Sequence, residues 1–274
     1  MSAGRQLQGG LRDPLSFSGV YPFRRLGGQL RETCRKLREF GFQETHALGF
    51  GSLFYRDVWE GNREVLREIE GVRCGIGLNP LAGVNPLYSG DRVIRAELQD
   101  SGFRAAVLAP QYHGFRPQSP RSLRVLALLE ELGFPIVLLD SLEDPREWHR
   151  AYLFKYSVRV EDLRDFLRQL RLRDFKGKLL LALPRFQLIK DNADLLRALE
   201  VYVDVSHDSV LGPPYDQVKW VVENLGEEAV VLSSRSPMAY ISALMAKVLH
   251  SGIGEEAKLK VLSRNVRKFY GGGS

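Results

Sequence analysis

The chain has 274 residues, 44% hydrophobic and 26% charged, with 39 Lys and Arg against 33 Asp and Glu for a formal net charge of +6. This is the composition of a globular chain with one large core, and no apolar run approaches the roughly 20 residues that span a bilayer. The positive surplus is interleaved with acids, as in Arg159-Val160-Glu161-Asp162-Leu163-Arg164-Asp165, which reads as a solvated helix face rather than a nucleic-acid surface.

From the amino end, residues 1–12 are polar and Gly-rich and are expected to form a loose tail. The opening Met1-Ser2-Ala3-Gly4-Arg5-Gln6 lacks a signal-peptide apolar stretch, so a cytoplasmic chain is expected. The first strand is predicted over Leu15 to Ser18, followed by a helix through Leu30, Cys34, Leu37 and Phe40. A second strand runs from Thr45 to Phe50 and a second helix from Asn62 to Ile69. Strand three is predicted at Val72 to Leu78 and its helix at Arg92 to Leu98. Strand four covers Phe103 to Ala109, with the helix Ser122 to Leu132 after it. Cys34 and Cys74 are expected as buried free thiols of a reducing compartment.

The second half repeats the alternation. Strands are predicted at Phe134 to Leu139, Leu179 to Leu183, Val201 to Val205 and Ala229 to Leu232. Helices are predicted at Val160 to Leu170, Ala193 to Leu199 and Asp216 to Asn224. Pro237 is expected to open a helix through Ala243, Met245, Ala246 and Val248, and Glu255 to Phe269 to form one more. Gly271-Gly272-Gly273-Ser274 reads as a flexible tail. Continuous apolar strands imply burial on both faces and a parallel sheet. Eight strands alternating with helices over residues 13–270 predict a single α/β domain, a (β/α)8 TIM-type barrel with an extra C-terminal helix. A doubly wound open sheet is the alternative, but no Gly-x-Gly-x-x-Gly follows the first strand.

Four segments together resemble the amidohydrolase-related proteins of the metal-dependent hydrolase superfamily. The stretch Asp13-Pro14-Leu15-Ser16-Phe17-Ser18-Gly19-Val20-Tyr21-Pro22-Phe23-Arg24 is similar to the family's opening Asp-x-His-x-His-x-Gly-x-Trp-Pro-Phe-Arg. Phe54-Tyr55-Arg56-Asp57 through Glu60-Gly61-Asn62 looks like its entry into the second helix. Gly102 to Leu108, with Pro110 and Tyr112-His113-Gly114, is similar to its fourth strand and loop. Ser234 to Tyr270 resembles its last strand and closing helix, with Asn265-Val266-Arg267-Lys268-Phe269 in place of Asn-Ala-x-x-Leu. Trp148-His149, after Glu143-Asp144-Pro145-Arg146, resembles a loop that caps the family's site. The resemblance implies a barrel with its site at the C-terminal strand ends. Any activity it implies is that of a hydrolase or carbon–carbon lyase working through a divalent metal such as zinc.

The departures fall where that chemistry sits. Leu15 and Phe17 occupy the places of the two metal histidines, and neither side chain can bind a metal. The fifth strand ends Leu138-Leu139-Asp140 and the sixth Leu183-Pro184-Arg185, both without histidine. In Ser233-Ser234-Arg235-Ser236-Pro237 the family's catalytic aspartate is replaced by Arg235, which can serve neither as ligand nor as base.

The expectation is therefore a chain without a metal cofactor, a pseudoenzyme or a metal-free catalyst, binding a small anionic molecule at the barrel mouth. Polar residues predicted there are Ser16 or Ser18, Asn79, His113, Asp140, Arg185, His207 with Asp208, and Arg235. His113, Asp140 and His207 are the candidate acid–base groups; Arg185, Arg235, Asp208 and Asn79 are the candidate ligand contacts. Arg185 and Arg235 would clamp a carboxylate or phosphate, unless Arg235 pairs internally with Asp140 or Asp208. A relocated metal on His113, Asp140, His207 and Asp208 is the second reading, and a non-catalytic partner subunit the third. His46 and His149 read as structural, and His250 as lying on an outer helix. A homodimer is expected, with neither nucleic acid nor membrane as partner.

Overall fold

The computed structural model describes residues 10–23, 25–27, 29–99, 101–142, 158–207 and 216–271. Eight strands follow one another in one sheet, each paired in parallel with the next: β1 (Leu11–Ser18), β2 (Phe42–Gly49), β3 (Gly77–Gly83), β4 (Ala106–Leu108), β5 (Ile136–Leu139), β6 (Leu179–Ala182), β7 (Tyr202–Asp204) and β8 (Val230–Val231). The chain beyond β8 returns to β1, where the Phe17 amide donates to Ser236 O (2.8 Å) and the Arg235 amide to Leu15 O (3.2 Å). These bonds close the sheet into the predicted barrel.

Period-two alternation sorts the strand side chains onto two faces. Leu15, Phe17, Leu48, Leu81, Val107, Val137, Leu139, Leu180, Ala182 and Val231 form one buried cluster inside the barrel. Their neighbours Ala47, Ala82, Ala106, Leu108, Ile136, Leu138, Leu181 and Val203 pack outward in the layer shared with the helices. Those helices carry apolar stripes at helical spacing: α1 (Leu30–Glu39) buries Leu30, Thr33, Cys34 and Leu37. Among the described residues no helix is long and apolar enough to cross a membrane.

Four expectations are corrected here. First, β1 begins at Leu11, inside the stretch expected to be a tail. Second, β3 lies at Gly77–Gly83, not Val72 to Leu78. Pro80, an apparent strand breaker, is tolerated because it heads the pairing with the chain entering β4: its carbonyl accepts from the Arg104 amide (2.9 Å), and the first donor that β3 supplies to that side is the Ala82 amide (3.0 Å to Ala105 O). Third, with β3 starting later, Cys74 falls in the connection before it and reaches across to α1. Cys34 and Cys74 are disulfide-bonded with a Cα–Cα distance of 6.2 Å, well within bridging range, and are not free thiols. Fourth, Pro237 lies in a turn and does not open the next helix, which starts at Ile241. The final helical stretch is also not uniform, since a π-helical turn at Lys260–Arg264 separates Glu255–Leu259 from Asn265–Tyr270.

The family-like segments are largely structural joints. Gly61 of α3 (Val58–Gly71) packs against the short α2 (Gly51–Phe54) so closely that a Cβ there would lie 2.1 Å from Gly51 C and Ser52 N. Next to it, Asn62 clamps the end of β3, with Nδ2 donating to Gly83 O (2.9 Å) and Oδ1 accepting from the Gly83 amide (2.8 Å). Gly61→Ala is expected to lower stability by about 3 kcal/mol, measured by urea denaturation; a loss below about 0.5 kcal/mol would show that α2 can move away. Asn265 donates to Glu227 O (2.7 Å) and Val230 O (2.8 Å), pinning the closing helix to the start of β8.

Candidate functional site

The carboxyl end of β8 is bonded to its neighbours through side chains. Asp13 Oδ1 accepts from the amides of Ser234 (2.8 Å) and Leu15 (3.2 Å), and Oδ2 from the hydroxyls of Thr45 (2.6 Å) and Ser234 (2.7 Å). On the other flank, Asp204 Oδ1 accepts from the amides of Ser233 (3.0 Å) and Ser206 (2.9 Å), while Oδ2 accepts from Ser206 Oγ (2.9 Å). The amides of Ser233 and Ser234 point to opposite sides, as in any extended chain, and each meets a carboxylate where ladder pairing is missing. Both carboxylates are fully buried. Burial raises Asp13 to about 6 against the opposing pull of its hydrogen-bond donors, and it raises Asp204 in the same way.

Below this seam the closing helix plugs the barrel. Tyr270 stacks on His46 with ring centroids 3.6 Å apart and donates its hydroxyl to Pro14 O (2.7 Å). His46 Nδ1 lies 2.9 Å from Asp13 O and therefore carries the proton. Burial lowers His46 to about 4. Burial, with the charges of Asp13 and Asp204, pushes the Tyr270 phenol well above its ordinary value.

Above the seam the mouth divides into two halves. Toward β1 to β4 it is aromatic: Phe17 stacks on Phe50 (5.3 Å), Tyr21 packs on Phe50 (5.1 Å), and Phe54 meets Tyr112 edge-on (5.7 Å). Toward β5 to β8 it is polar. Leu142, itself fully buried, joins the halves: its amide donates to Tyr112 Oη (2.8 Å) and its carbonyl accepts from Arg235 Nη2 (3.0 Å). Arg235 Nη1 donates to Ser206 O (3.0 Å). Arg235 is buried and left-handed in backbone, with φ 50°, a conformation with a steric cost for a side chain of this size.

Of the predicted site residues, the structure brings Asp140 and Arg185 together. Arg185 Nε donates to Asp140 Oδ2 at 3.0 Å, its amide approaches the same oxygen at 3.3 Å, and Nη2 donates to Val158 O. Arg185 Nη1 has no partner among the described residues, and its side chain is 33% exposed beside the 1% exposed Asp140. Burial raises Asp140 although Arg185 opposes the shift. Asp140 is thus paired with Arg185, and the contacts of Arg235 include the Ser206 and Leu142 carbonyls, to which its guanidinium donates.

The other predicted residues are dispersed. His113, in the short helix Pro110–His113, points to the α2 side, with Nε2 3.0 Å from Ser52 O. His207 is buried just beyond β7. Ser16 is buried behind the seam, with Oγ 2.7 Å from Thr45 Oγ1, and Ser18 ends β1. Asn79 is not at a strand end: it lies within β3 opposite His46, well before the carboxyl end at Gly83. That misplacement follows from the misplaced strand. Asp208 and the Trp148-His149 loop fall outside the described residues. Among the described residues no group of three or more His, Cys, Asp or Glu is placed to hold a metal ion.

Sequence reasoning passed over Asp13, Thr45, Asp204 and Tyr270. Asp13 was legible as the surviving acid of the opening motif, and Asp204 as an acid ending an apolar strand. Nothing local announces that Tyr270 enters the barrel.

No protein-family model matches the chain, and no curated protein sequence does. Solved structures do match in fold. A dihydroxybenzoic acid decarboxylase from Polaromonas sp. JS666, with bound manganese and the inhibitor 2-nitroresorcinol, is similar at 10% identity and TM-score 0.72, covering 96% of this chain and 97% of its own. A 2,6-dihydroxybenzoate decarboxylase from Rhizobium shares 12% identity at TM-score 0.67, covering 96% and 98%. Amidohydrolase 2 from Bifidobacterium longum subsp. infantis shares 14% at TM-score 0.63, covering 95% and 98%. Identities this low speak to architecture alone: the chain shares with these proteins the fold of a TIM-type barrel.

Proposed function

We propose that this chain is a metal-free barrel that binds a small planar carboxylate at its mouth. The observation that carries the reading is the filling of the barrel interior. Leu15 and Phe17, both 0% exposed, occupy the places where the resemblance puts histidine ligands, and the buried Arg235 guanidinium occupies that of the catalytic aspartate. This donor set does not fit a divalent cation: two positions offer no lone pair, and the third offers positive charge.

The anion contact in this reading is Arg185. Asp140 fixes the fork through Nε and leaves Nη1 toward solvent, so a carboxylate would meet an oriented guanidinium. Phe54 and Tyr112 supply an aromatic wall on the opposite half, which suits a planar acid. The neighbours named as dihydroxybenzoate decarboxylases make an aromatic acid the sensible probe.

Protein purified without chelator is expected to carry well under one equivalent of zinc or manganese by elemental analysis. By calorimetry 2,6-dihydroxybenzoate should bind, and Arg185→Gln should weaken that binding about ten-fold. Stoichiometric metal, or metal-dependent loss of carbon dioxide from the probe, would overturn the reading.

A further inference from the structure

We propose that the amino-terminal end of the barrel, opposite the mouth, carries a second binding site, for a small organic polyanion with an apolar body. A cleft of about 920 Å³ opens there between the starts of β6, β7 and β8, a volume in the range of small-molecule sites. Its apolar surface comes from Phe175, Leu199, Tyr202 and Leu225, and Tyr202 is held from behind by edge-on packing on Phe269 (5.2 Å).

The charges around this floor do not cancel. Five cations line the cleft, Arg171, Lys176, Lys178, Arg197 and Lys268, against Asp174, Glu200 and Glu228. Two of the acids are already neutralised: Asp174 by Lys176 (2.6 Å), and Glu228 by Lys260 (2.6 Å) with Lys268 at 3.8 Å. Among the described residues Lys178 Nζ donates to a backbone oxygen, Lys268 O (2.7 Å). Among the described residues Arg171, Arg197 and Lys178 have no acidic partner, which leaves three cations facing Glu200. An organic anion bearing two or more carboxylates, or a phosphate, matches unpaired cations around an apolar floor.

Helix ends supply a competing reason for some of these charges. Arg171 and Arg197 sit in the last turns of Val160–Leu172 and Ala193–Ala198, where cations favour the helix dipole without any ligand. Titration of the full Arg185→Gln chain, in which the proposed carboxylate contact at the mouth is removed, with benzene-1,3,5-tricarboxylate separates the two accounts. The site predicts saturable 1:1 binding at about 1 mM or tighter, weakened about three- to five-fold by each of Arg171→Gln and Arg197→Gln and further by added salt. Inorganic phosphate should bind more weakly, lacking a body for the floor. Both arginines are exposed, so the variants should melt like the parent. Absence of saturable binding, undiminished binding by the double variant, or phosphate binding as tightly would overturn the proposal. Saturable binding in the parent but none in Arg185→Gln would also overturn it, by placing the anion at the mouth.

Discussion

Replacing Cys34 and Cys74 by serine is expected to destabilise the chain by about 4 kcal/mol and lower its melting temperature by about 10 °C. The bridge closes a loop of sequence separation 40, and without it the unfolded chain regains the freedom of that whole segment, which holds β2, α2 and α3. Cys34 is fully buried on the inner face of α1, so the serine also places an unneeded hydroxyl in an apolar layer. Denaturant titrations of the oxidised chain, the reduced chain and the double variant measure the effect. A difference below about 1 kcal/mol between oxidised and reduced protein would mean that the bridge adds little to a joint already made by packing.

The second large effect concerns the seam. Asp13→Ala removes one acceptor from four buried donors at once, two amides and two hydroxyls, and is expected to cost about 4 kcal/mol. Asp13→Asn keeps the shape and should cost about 1–2 kcal/mol, while changing the response to pH. Asp13 titrates at about 6 in the fold against an ordinary 3.8. Its proton is held more tightly when folded, so its contribution to stability is complete below about pH 4 and is lost as pH rises through about 6.

His46 works the other way. Its folded value of about 4 lies below the ordinary 6.5, so its contribution is present above pH 6.5 and is lost as pH falls through about 4. Each amounts to about 3 kcal/mol, and between pH 4 and 6.5 they oppose one another. Relative to the parent, Asp13→Asn should therefore lose stability on acidification across this window, whereas His46→Gln should gain it. Stability measured at several pH values tests the signs. Parallel profiles for the parent and both variants would show that neither group titrates differently in the fold.

Asp13 and Arg235 together explain how the barrel closes with Leu15, Phe17 and Arg235 at these positions. A barrel needs its last strand joined to its first, and here that joint uses Asp13, Ser234 and the backbone of Leu15 and Phe17. None of these contacts requires a metal. Arg235 places its guanidinium between the Ser206 and Leu142 carbonyls, so the strand end is held from the polar half of the mouth as well. The side chains that differ from the motif face the interior, where packing alone accepts leucine and phenylalanine.

How much was legible followed the range of the interactions. The apolar runs of β5 and β6 and the helical stripe of α1 are local periodicities, and they located those elements within a residue or two. Cys74 was misread because the run ending at Leu78 looks like a strand, while the real strand is interrupted in sequence by Asn79-Pro80. Its tolerance of proline depends on where pairing with the chain entering β4 begins, which is not a local property. Asp140 and Arg185 were both visible as polar residues following apolar strands, but their pairing depends on two adjacent strand ends meeting.

By itself the sequence determined the alternation of strand and helix, the parallel barrel, and the absence of ligand-capable side chains at Leu15, Phe17 and Arg235. Chain periodicity and side-chain chemistry are written residue by residue. Only the tertiary structure decided the Cys34–Cys74 bridge, the Asp140–Arg185 pair, the carboxylate-stitched seam and the entry of Tyr270 beneath the barrel. Each depends on contacts between residues from 29 to 256 positions apart, and the energies that select such contacts, burial and closed hydrogen bonding, exist only once the chain has folded on itself.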